Sequence, residues 1–294
     1  MLRNEDIGIL VEALPYLREF KDKVVVVKFG GRAMTDPALR GKLLQDVISL
    51  QSAGLRPIIV HGAGPEVPAM LLKSGKKATF VHGLRVTDEE TVALTEMALI
   101  GRTNTDLVAE VNRLGGKAVG LDGKDADLIV AKKHLADVYE NGEVSLVDIG
   151  YVGSVEAVNT DLLHCLLDGG YIPVVAPTGV GLGGESYNIN ADSAAGKIAG
   201  DLQAENLIVL TDVKGIYEDY RDENSFLSTL TFDKAQELIS GGRIDGGMIP
   251  KVKACITALS GGARKAHIVD GRVDHAILVE LFSDKGIGTE VVRA

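Results

Sequence analysis

Two apolar runs of the sequence lead into glycine turns, and one of these turns also carries a lysine. Residues 24–27 lead into Lys28-Phe-Gly-Gly31, and residues 58–60 lead into His61-Gly-Ala-Gly64. Glycine lets backbone N–H groups approach an anion, and a helix that begins after such a turn adds the positive end of its dipole. The lysine adds a full positive charge. These residue types at this spacing predict a protein that binds phosphate.

Lys28, Lys251 and Asp192 could carry chemistry, and each also has a purely structural interpretation. Lys28 ends a strand that would be buried on both faces, where a charge needs a partner; the alternative is an exposed strand end. Lys251 follows the turn Gly246-Gly-Met-Ile-Pro250 and, considered alone, is a surface residue at the start of a helix. Asp192 follows Asn188-Ile-Asn-Ala191 and could be a plain helix N-cap.

Other polar residues stand at strand ends or before helices. His61 is interpreted as structural, because no serine or cysteine elbow accompanies it. Arg85 either grips a carboxylate as a two-pronged donor or decorates a loop. Thr211 and Asp212 end a strand before Val213-Lys-Gly-Ile-Tyr217, and ligands of open α/β sheets gather at such carboxyl ends. A nucleotide is therefore expected to lie there.

Composition narrows the class of protein. The chain has 294 residues with 46% hydrophobic content, enough to bury a sizeable core. Its net charge of −10, low aromatic content and lack of tryptophan argue against nucleic acid as the main partner. No apolar run is long enough to cross a membrane, so we expect a cytoplasmic protein with no membrane partner. Cys165 and Cys255 lack the spacing of metal ligands, and no metal site is predicted.

Short β-branched runs alternate with helical patterns along most of the chain. This alternation predicts an α/β fold, a three-layer α/β/α sandwich around a mainly parallel open sheet, with a small antiparallel hairpin layer within residues 128–153. Residues 179–184 match a dinucleotide fingerprint formally, but no helix follows directly and they are interpreted as a loop. Predicted strands are Lys23–Lys28, Pro57–His61, Lys117–Leu121, Tyr171–Ala176, Asn206–Thr211 and Ala266–Val269; predicted helices are Ala38–Ala53, Pro65–Lys73, Asp88–Leu114, Thr160–Leu167, Asp192–Leu202, Thr231–Ser240 and Ile249–Gly261.

The sequence predicts that the chain is organised in three segments. Residues 1–22 would form an N-terminal helix, residues 23–178 a lobe that binds an acyl-amino-acid substrate, and residues 179–294 a lobe that binds ATP. The boundary is placed at the most glycine-dense stretch of the chain, which begins at Gly179.

Seven ordered motifs resemble the amino acid kinase family, most closely its members that phosphorylate N-acetyl-L-glutamate. The resemblance runs from about residue 9 to the last strand. It implies the amino acid kinase fold. The motifs are Lys28-Phe-Gly-Gly, His61-Gly-Ala-Gly-Pro65, Gly83-Leu-Arg-Val-Thr-Asp88, Asn188-Ile-Asn-Ala-Asp192, Leu210-Thr-Asp-Val-Lys-Gly215, Gly246-Gly-Met-Ile-Pro-Lys251 and Gly286-Ile-Gly-Thr289.

The resemblance implies phosphoryl transfer from ATP, with Mg2+, to the side-chain carboxylate of N-acetyl-L-glutamate, a step of arginine biosynthesis. The acceptor is already ionised at neutral pH, so the protein must mainly align two anions and offset their repulsion. By the family pattern Lys28 and Lys251 stabilise the moving phosphoryl group and Asp192 orients both lysines. The implied substrate residues are Gly62, Ala63, Gly64, Arg85, Asn188 and Asn190, and the implied ATP residues are Lys28, Gly30, Gly31, Thr211, Asp212, Lys214, Gly215, Tyr217, Arg243, Asp245 and Lys251.

The N-terminal segment has a further implication. Leu10, Leu14, Leu17 and Phe20 are spaced for one apolar helix face, which could dock on its own subunit. Arginine-inhibited hexameric members of the family look similar here, which implies a hexamer built as a trimer of dimers. The same resemblance implies an L-arginine effector bound by Tyr16, His267, Glu280 and Gly286. Nothing in the sequence establishes a signalling partner of the PII type.

Two positions depart from the family pattern. Ala63 stands where a third glycine is usual, and a positive φ there would cost on the order of 1 kcal/mol. Pro68 replaces a residue that is polar in many relatives. The alternatives that remain are a kinase for another amino acid or for carbamate, and a non-catalytic relative that senses arginine or binds a partner.

Overall fold

The structure is a computed structural model that describes residues 18–76, 80–81, 84–140, 143–244, 246–283 and 285–293. The helix predicted within residues 1–22 therefore lies almost entirely outside the described residues. Sixteen strands are described: β1 Val24–Phe29, β2 Arg56–His61, β3 Phe80–Val81, β4 Leu84–Arg85, β5 Ala118–Asp122, β6 Ile129–Glu140, β7 Glu143–Val158, β8 Ile172–Ala176, β9 Thr178–Val180, β10 Ser186–Ile189, β11 Asn206–Thr211, β12 Ile216–Tyr217, β13 Phe226–Leu227, β14 Thr229–Thr231, β15 Lys265–Asp270 and β16 Thr289–Val292.

Helices separate most of these strands. The α-helices are α1 Arg32–Thr35, α2 Pro37–Ser52, α3 Glu66–Lys73, α4 Glu89–Ala98, α5 Thr105–Arg113, α6 Asp161–Asp168, α7 Ala191–Asp201, α8 Phe232–Ser240, α9 Ile249–Gly261 and α10 Ala276–Phe282. A π-helical turn, Leu99–Asn104, joins α4 to α5, and short 3-10 turns span Asp125–Asp127 and Glu223–Ser225. None of the described helices is long and apolar enough to span a membrane.

The main sheet has eight strands in the order β14-β16-β15-β11-β1-β2-β8-β5. Pairing is parallel throughout except between β15 and β16. Alternate residues of β1 enter different layers: Val26 packs in the core on one face, while Val25 and Val27 pack on the other. Because both faces are covered, the central strands are apolar along their whole length. The predicted α/β sandwich is confirmed.

A second, smaller sheet is built on the long hairpin of β6 and β7, which closes with β9 and β10. The hairpin was predicted; its Asn-Gly turn at residues 141–142 lies outside the described residues. β9 and β10 also form a hairpin, with the glycine-rich residues at its tip. The loop interpretation is therefore confirmed for residues 181–184, whereas Gly179 and Val180 belong to β9.

The predicted strands and helices are confirmed to within a residue or two at each end, with one difference and some omissions. The segment predicted as a single helix over Asp88–Leu114 is interrupted by the π-helical turn, in which the backbone makes i→i+5 hydrogen bonds. Strand β14 at the edge of the main sheet, its neighbour β16 and the helix α10 were not predicted. The short elements α1, β3, β4, β9, β10, β12 and β13 were not predicted either. The division into lobes at residues 178 and 179 stays a prediction.

Candidate active site

A buried carboxylate lies between two lysines at the carboxyl end of β1. Lys28 Nζ is 2.9 Å from Asp192 Oδ1, and Lys251 Nζ is 3.2 Å from Asp192 Oδ2. Lys28 and Asp192 are only 6% and 5% exposed. Lys28 is therefore not an exposed strand end, Lys251 is a partly buried ion-pair partner rather than a free surface group, and Asp192 is not the N-cap of α7. That cap is Asn190, whose Oδ1 accepts hydrogen bonds from the N–H groups of Asp192 and Ser193.

Small residues bring the two helices of this triad together. A Cβ added at Gly196 of α7 would lie 2.9 Å from Cα of Ala254 in α9, and one added at Gly261 would lie 2.7 Å from Cα of Gly200. The two helix backbones are thus in direct contact along their length. This close approach sets the first turn of α7, with Asp192, against the first turn of α9, with Lys251.

Burial and ion pairing act against each other in the triad. Burial lowers the pKa of Lys28, and the ion pair with Asp192 only partly offsets this effect. Burial also acts to raise the pKa of Asp192, but the two lysines outweigh it and hold that pKa below its usual range. Asp192 is therefore a carboxylate at neutral pH, and its charge supports two ammonium groups that would otherwise repel each other.

The two glycine turns face each other across a cavity of about 440 Å3. Gly31 has φ 56° and ψ −136°, a conformation that favours glycine, and a Cβ there would meet the Asp212 carboxylate. Asp212 Oδ1 accepts a hydrogen bond from the N–H of Arg32, which begins α1, at 2.9 Å. The cavity is lined by Lys28, Gly30, Gly31, Arg32, Met34, Thr35, Gly62, Ala63, Gly64 and Asp212.

The concern about Ala63 is not borne out by the backbone. Among the described residues with positive φ, the turn contributes Gly64 but not Ala63. The Ala63 methyl packs against the small apolar cluster that includes Val67 and Leu99. Pro68 is exposed in the first turn of α3, where its missing N–H removes no helical hydrogen bond. Neither departure from the family pattern distorts the turn.

The backbone N–H groups of the turn at residues 62–64 differ in whether they already donate a hydrogen bond within the protein. The N–H of Gly62 donates to the carbonyl of Phe29 at 2.9 Å and is already used. Within the described ranges, no residue accepts from the N–H of Ala63 or of Gly64. Of the three N–H groups of this turn, these two are therefore available to an anion in the cavity.

His61 is buried directly behind this turn. Its Nδ1 lies 3.0 Å from the carbonyl oxygen of Gly62, and its Nε2 lies 3.1 Å from Nδ2 of Asn104. Burial lowers the pKa of His61 to about 4, so the ring is neutral at physiological pH. The interpretation of His61 as a structural residue rather than a base agrees with this placement. Asn104 was missed by sequence reasoning, because nothing local marks the π-helical turn that directs it inwards.

The remaining predicted substrate residues are only partly described. Arg85 lies in β4, but its side chain is outside the described part of the structure. Asn188 lies in β10 and pairs with Val152 of β7 and Thr178 of β9. Asn190 uses its Oδ1 to cap α7. The substrate roles of these three residues stay predictions.

Two of the predicted nucleotide residues, Gly215 and Tyr217, line a separate apolar pocket of about 240 Å3. The previously unpredicted Ile244 and Met248 also contribute to it. Met248 joins the pocket to the end of β11, because its sulfur is 3.9 Å from Thr211 Oγ1. The pocket is lined by Val213, Gly215, Ile216, Tyr217, Tyr220, Ile244 and Met248.

Polar residues flank this apolar pocket. The ammonium of Lys214 lies 4.2 Å from the centre of the Phe226 ring. Arg243 lines a neighbouring cavity of about 340 Å3, and its guanidinium is 3.8 Å from Glu218 Oε1. Asp245 is outside the described residues. The pocket is thus apolar in its interior and polar at its rim, which is the usual character of a small-molecule site.

Three of the four residues assigned to an effector are adjacent at the far side of the sheet. His267 Nδ1 is 2.8 Å from Glu280 Oε1, and a Cβ added at Gly286 would lie 2.8 Å from Glu280 Oε2. Burial acts to raise the pKa of Glu280, but the contact with His267 and two backbone N–H donors hold it below its usual range. Tyr16 lies outside the described residues. The structure places this cluster together and does not test what it binds.

No group of three or more His, Cys, Asp or Glu side chains with the placement of a metal cage occurs among the described residues.

Comparison with known proteins agrees with this geometry. A model of the amino acid kinase family matches residues 23–270. An acetylglutamate kinase of Moorella thermoacetica is 52% identical over 288 residues, covering 98% of this chain and 97% of that protein. An acetylglutamate kinase of Heliobacterium modesticaldum is 51% identical, with 98% of each chain covered.

Solved structures share the same architecture. The N-acetylglutamate synthase of Neisseria gonorrhoeae, solved with coenzyme A and N-acetyl-glutamate, superposes with a TM-score of 0.81 at 26% identity; the match covers 98% of this chain and 63% of the synthase. The carbamate kinase of Giardia lamblia bound to AMP-PNP superposes with a TM-score of 0.68 at 16% identity, covering 93% and 99% of the two chains, which indicates the fold alone. From the family match and these identities, the chain belongs to the amino acid kinase family.

Proposed function

We propose that this chain is an acetylglutamate kinase, which transfers the γ-phosphoryl group of ATP to the side-chain carboxylate of N-acetyl-L-glutamate and yields N-acetyl-L-glutamyl 5-phosphate for arginine biosynthesis. The observation that carries the proposal is the buried triad of Lys28, Asp192 and Lys251 at the edge of the cavity between two glycine turns. The choice of N-acetyl-L-glutamate as the acceptor is supported by relatives named acetylglutamate kinase, which are about 50% identical over nearly the whole chain. A cytoplasmic location, as for other biosynthetic enzymes, belongs to the same proposal.

The acceptor chemistry fits the side chains present. A carboxylate is ionised at neutral pH and attacks the γ-phosphorus without losing a proton, so the site needs no general base. His61 is neutral but buried behind the turn, with both ring nitrogens occupied by neighbouring groups. The requirements that remain are in-line alignment and stabilisation of negative charge.

Two lysines and two backbone donors meet those requirements. Lys28 lines the cavity and lies beside the turn that binds ATP phosphates, while Lys251 approaches from the first turn of α9. Their ammonium groups offset charge on the transferred phosphoryl group, and Asp192 holds both in place. The free N–H groups of Ala63 and Gly64 face the same group from the acceptor side. In this proposal Arg85 pairs with the α-carboxylate of the substrate, and Asn188 holds its amide.

ATP would lie with its adenine in the apolar pocket lined by Tyr217 and Met248, and with its phosphates toward Gly30 and Gly31. Magnesium supplies charge neutralisation between the phosphates when it is bound. We expect the ion to be carried mainly by the nucleotide and water, with Asp212 the carboxylate that lines the phosphate cavity.

The proposal also includes regulation by L-arginine and a hexameric assembly. The buried contact between His267 and Glu280, with Gly286 beside it, supports an L-arginine site completed by the N-terminal segment. We propose that this segment also joins dimers into a hexamer. Sizing by light scattering with and without L-arginine tests this: a dimer under both conditions would contradict it.

The activity is tested by following ADP release from ATP and Mg2+ with N-acetylglutamate, and with glutamate, aspartate or carbamate as competing acceptors. We expect turnover with N-acetylglutamate well above that with the others. Lys28→Met should lower kcat by about 100- to 1,000-fold, as for loss of one charge-stabilising donor. Lys73→Met, an exposed lysine on α3, is the control and should not change the rate. Absence of ADP release in the unaltered protein would favour the non-catalytic alternative.

A further inference from the structure

A chain of hydrogen bonds leads from the backbone of β8 to the turn that faces the acceptor. Asn104 Nδ2 donates to the carbonyl oxygen of Val174 at 2.8 Å and also lies 3.1 Å from His61 Nε2. His61 Nδ1 lies 3.0 Å from the carbonyl oxygen of Gly62. Asn104 and His61 are 5% and 0% exposed, so water does not compete for these contacts.

The carbonyl groups at the two ends fix the direction of every hydrogen bond in this chain. The oxygen of Val174 can only accept, so the Asn104 atom facing it is the amide nitrogen. That nitrogen donates its second hydrogen to His61 Nε2, which must then be the unprotonated ring nitrogen. Nδ1 therefore carries the proton and donates it to the oxygen of Gly62. His61 is held as a single neutral tautomer.

The orientation of the next peptide follows from this donation. In a trans peptide the carbonyl and the N–H point in opposite directions, and no cis peptide occurs among the described residues. The oxygen of Gly62 points back to the buried ring of His61. The N–H of Ala63 accordingly points away from the ring, toward the cavity that Ala63 lines. A reversed peptide would place the Gly62 carbonyl oxygen, a partial negative charge, beside the anion instead.

Two features of the sequence make room for Asn104. The π-helical turn adds a residue to the helical repeat at Leu99–Asn104, so that Asn104 faces the sheet. Directly opposite, Gly120 of β5 has no side chain, and a Cβ there would overlap Asn104 Oδ1. The π-helical turn and the glycine thus accommodate one buried amide.

We propose that Asn104 is a positioning residue that, through the tautomer of His61, holds the Gly62–Ala63 peptide with its N–H directed at the transferred phosphoryl group. This inference rests on the proposed function and adds to it how the donor at Ala63 is kept in place. Neither side chain touches the substrate. Both act through the peptide that does.

The first test separates positioning from general stabilisation. Asn104→Ala should lower kcat by about 10- to 100-fold, a part of the cost of losing one such donor, while KM for ATP and for N-acetylglutamate stays within about threefold. Asn112→Ala is the matched control, because Asn112 also bonds β5 through its side chain, to the N–H of Ala118 at 2.7 Å, without contacting His61. Equal kcat in the two variants, compared at equal folded fraction, would overturn the proposal.

The second test uses rescue at His61. An asparagine carries its amide nitrogen at the same bond distance from Cα as histidine Nδ1, whereas a glutamine carries it at the distance of Nε2. His61→Asn should therefore keep kcat within about fivefold and His61→Gln should lose about as much as Asn104→Ala. If the two substitutions lower kcat equally, donation to Gly62 is not what matters and the proposal fails.

A third readout does not depend on activity. Nitrogen chemical shifts of His61 in the full-length protein report which ring nitrogen carries the proton. We expect the Nδ1–H tautomer in the unaltered protein and its loss, or a mixture of tautomers, in Asn104→Ala. A protonated Nε2 in the unaltered protein would overturn the proposal even if the enzyme is active. The expected tautomer with no kinase activity would instead contradict the proposed function alone.

Discussion

Replacing Asp192 by asparagine removes the charge of the triad and keeps its size. Asp192 is 5% exposed and lies 2.9 Å and 3.2 Å from the ammonium groups of Lys28 and Lys251. Breaking a buried ion pair by removing one partner costs about 3–5 kcal/mol, since the other charge stays buried without compensation. Here one carboxylate serves two lysines, so we expect the upper part of that range in the free energy of unfolding. If half of this cost also appears in the transition state, kcat falls by about 50-fold.

The pH dependence gives this variant a distinctive signature. Burial already lowers the pKa of Lys28, and Asp192 is the main group that acts in the opposite direction. Without the carboxylate the pKa of Lys28 should fall further. The ammonium form exists below the pKa, so activity that needs its charge is lost as pH rises through that value. The alkaline limb of the kcat profile should therefore move to lower pH in Asp192→Asn.

The assay is steady-state ADP release between pH 6 and 10, with urea unfolding measured on the same samples. Asp106→Asn is the control, because Asp106 pairs with Arg102 at 3.0 Å where both side chains are at least half exposed. Such a surface pair contributes about 0–1 kcal/mol, and its loss should leave the pH profile unchanged. An alkaline limb that stays in place in Asp192→Asn would refute the role of this carboxylate in keeping Lys28 charged.

Three further variants test other parts of the site. Ala63→Gly should lower the free energy of unfolding by about 0.5–1 kcal/mol without raising kcat, because the methyl packs against an apolar cluster and φ is not positive; faster turnover would mean that the methyl crowds the acceptor. Gly31→Ala should raise KM for ATP by about tenfold or more, with KM for N-acetylglutamate unchanged, because the new Cβ meets Asp212; equal changes in both constants would contradict this. His61→Gln should remove a pH-dependent loss of stability. The pKa of His61 is about 4 in the folded state and 6.5 in the unfolded state, so the unfolded state binds the proton first as pH falls. Between pH 7 and pH 5 the free energy of unfolding, measured in urea, should therefore fall by about 2 kcal/mol more in the unaltered protein than in the variant.

Sequence reasoning located most of the main sheet because its central strands are buried on both faces. Residues 24–27 and 207–210 form apolar runs too short for helices and too uniform for a half-exposed strand, which leaves few alternatives. Strand β14, at the edge of the sheet, and its neighbour β16 have three and four residues and carry no such run. Their pairing depends on tertiary position, which a local pattern does not encode.

Some residues of the site could likewise be predicted from local sequence patterns, and others could not. Lys28 and the two turns could be found locally, because a charge or a glycine directly after an apolar run is unusual. The pairing of Asp192 with Lys251 depends instead on the contact between α7 and α9. Small residues permit this contact, but no single residue of the sequence predicts it. The motif resemblance supplied this pairing. It did not supply Asn104, whose placement depends on the π-helical turn and on the space above Gly120.

In the proposed mechanism, the charged triad and the neutral chain of Asn104 and His61 would place different kinds of donor on the two sides of the phosphoryl group. The lysines would supply positive charge beside the ATP phosphates. On the acceptor side the inner donors would be peptide dipoles, set by a histidine whose pKa burial lowers to about 4. A protonated His61 would place a buried cation behind the acceptor, where it would favour the bound carboxylate before reaction and so weaken it as a nucleophile. A fixed N–H adds its strongest contact only when charge moves onto the phosphoryl oxygen. In this proposal, a neutral His61 therefore lets the peptide N–H stabilise the transition state without stabilising the bound acceptor carboxylate before reaction.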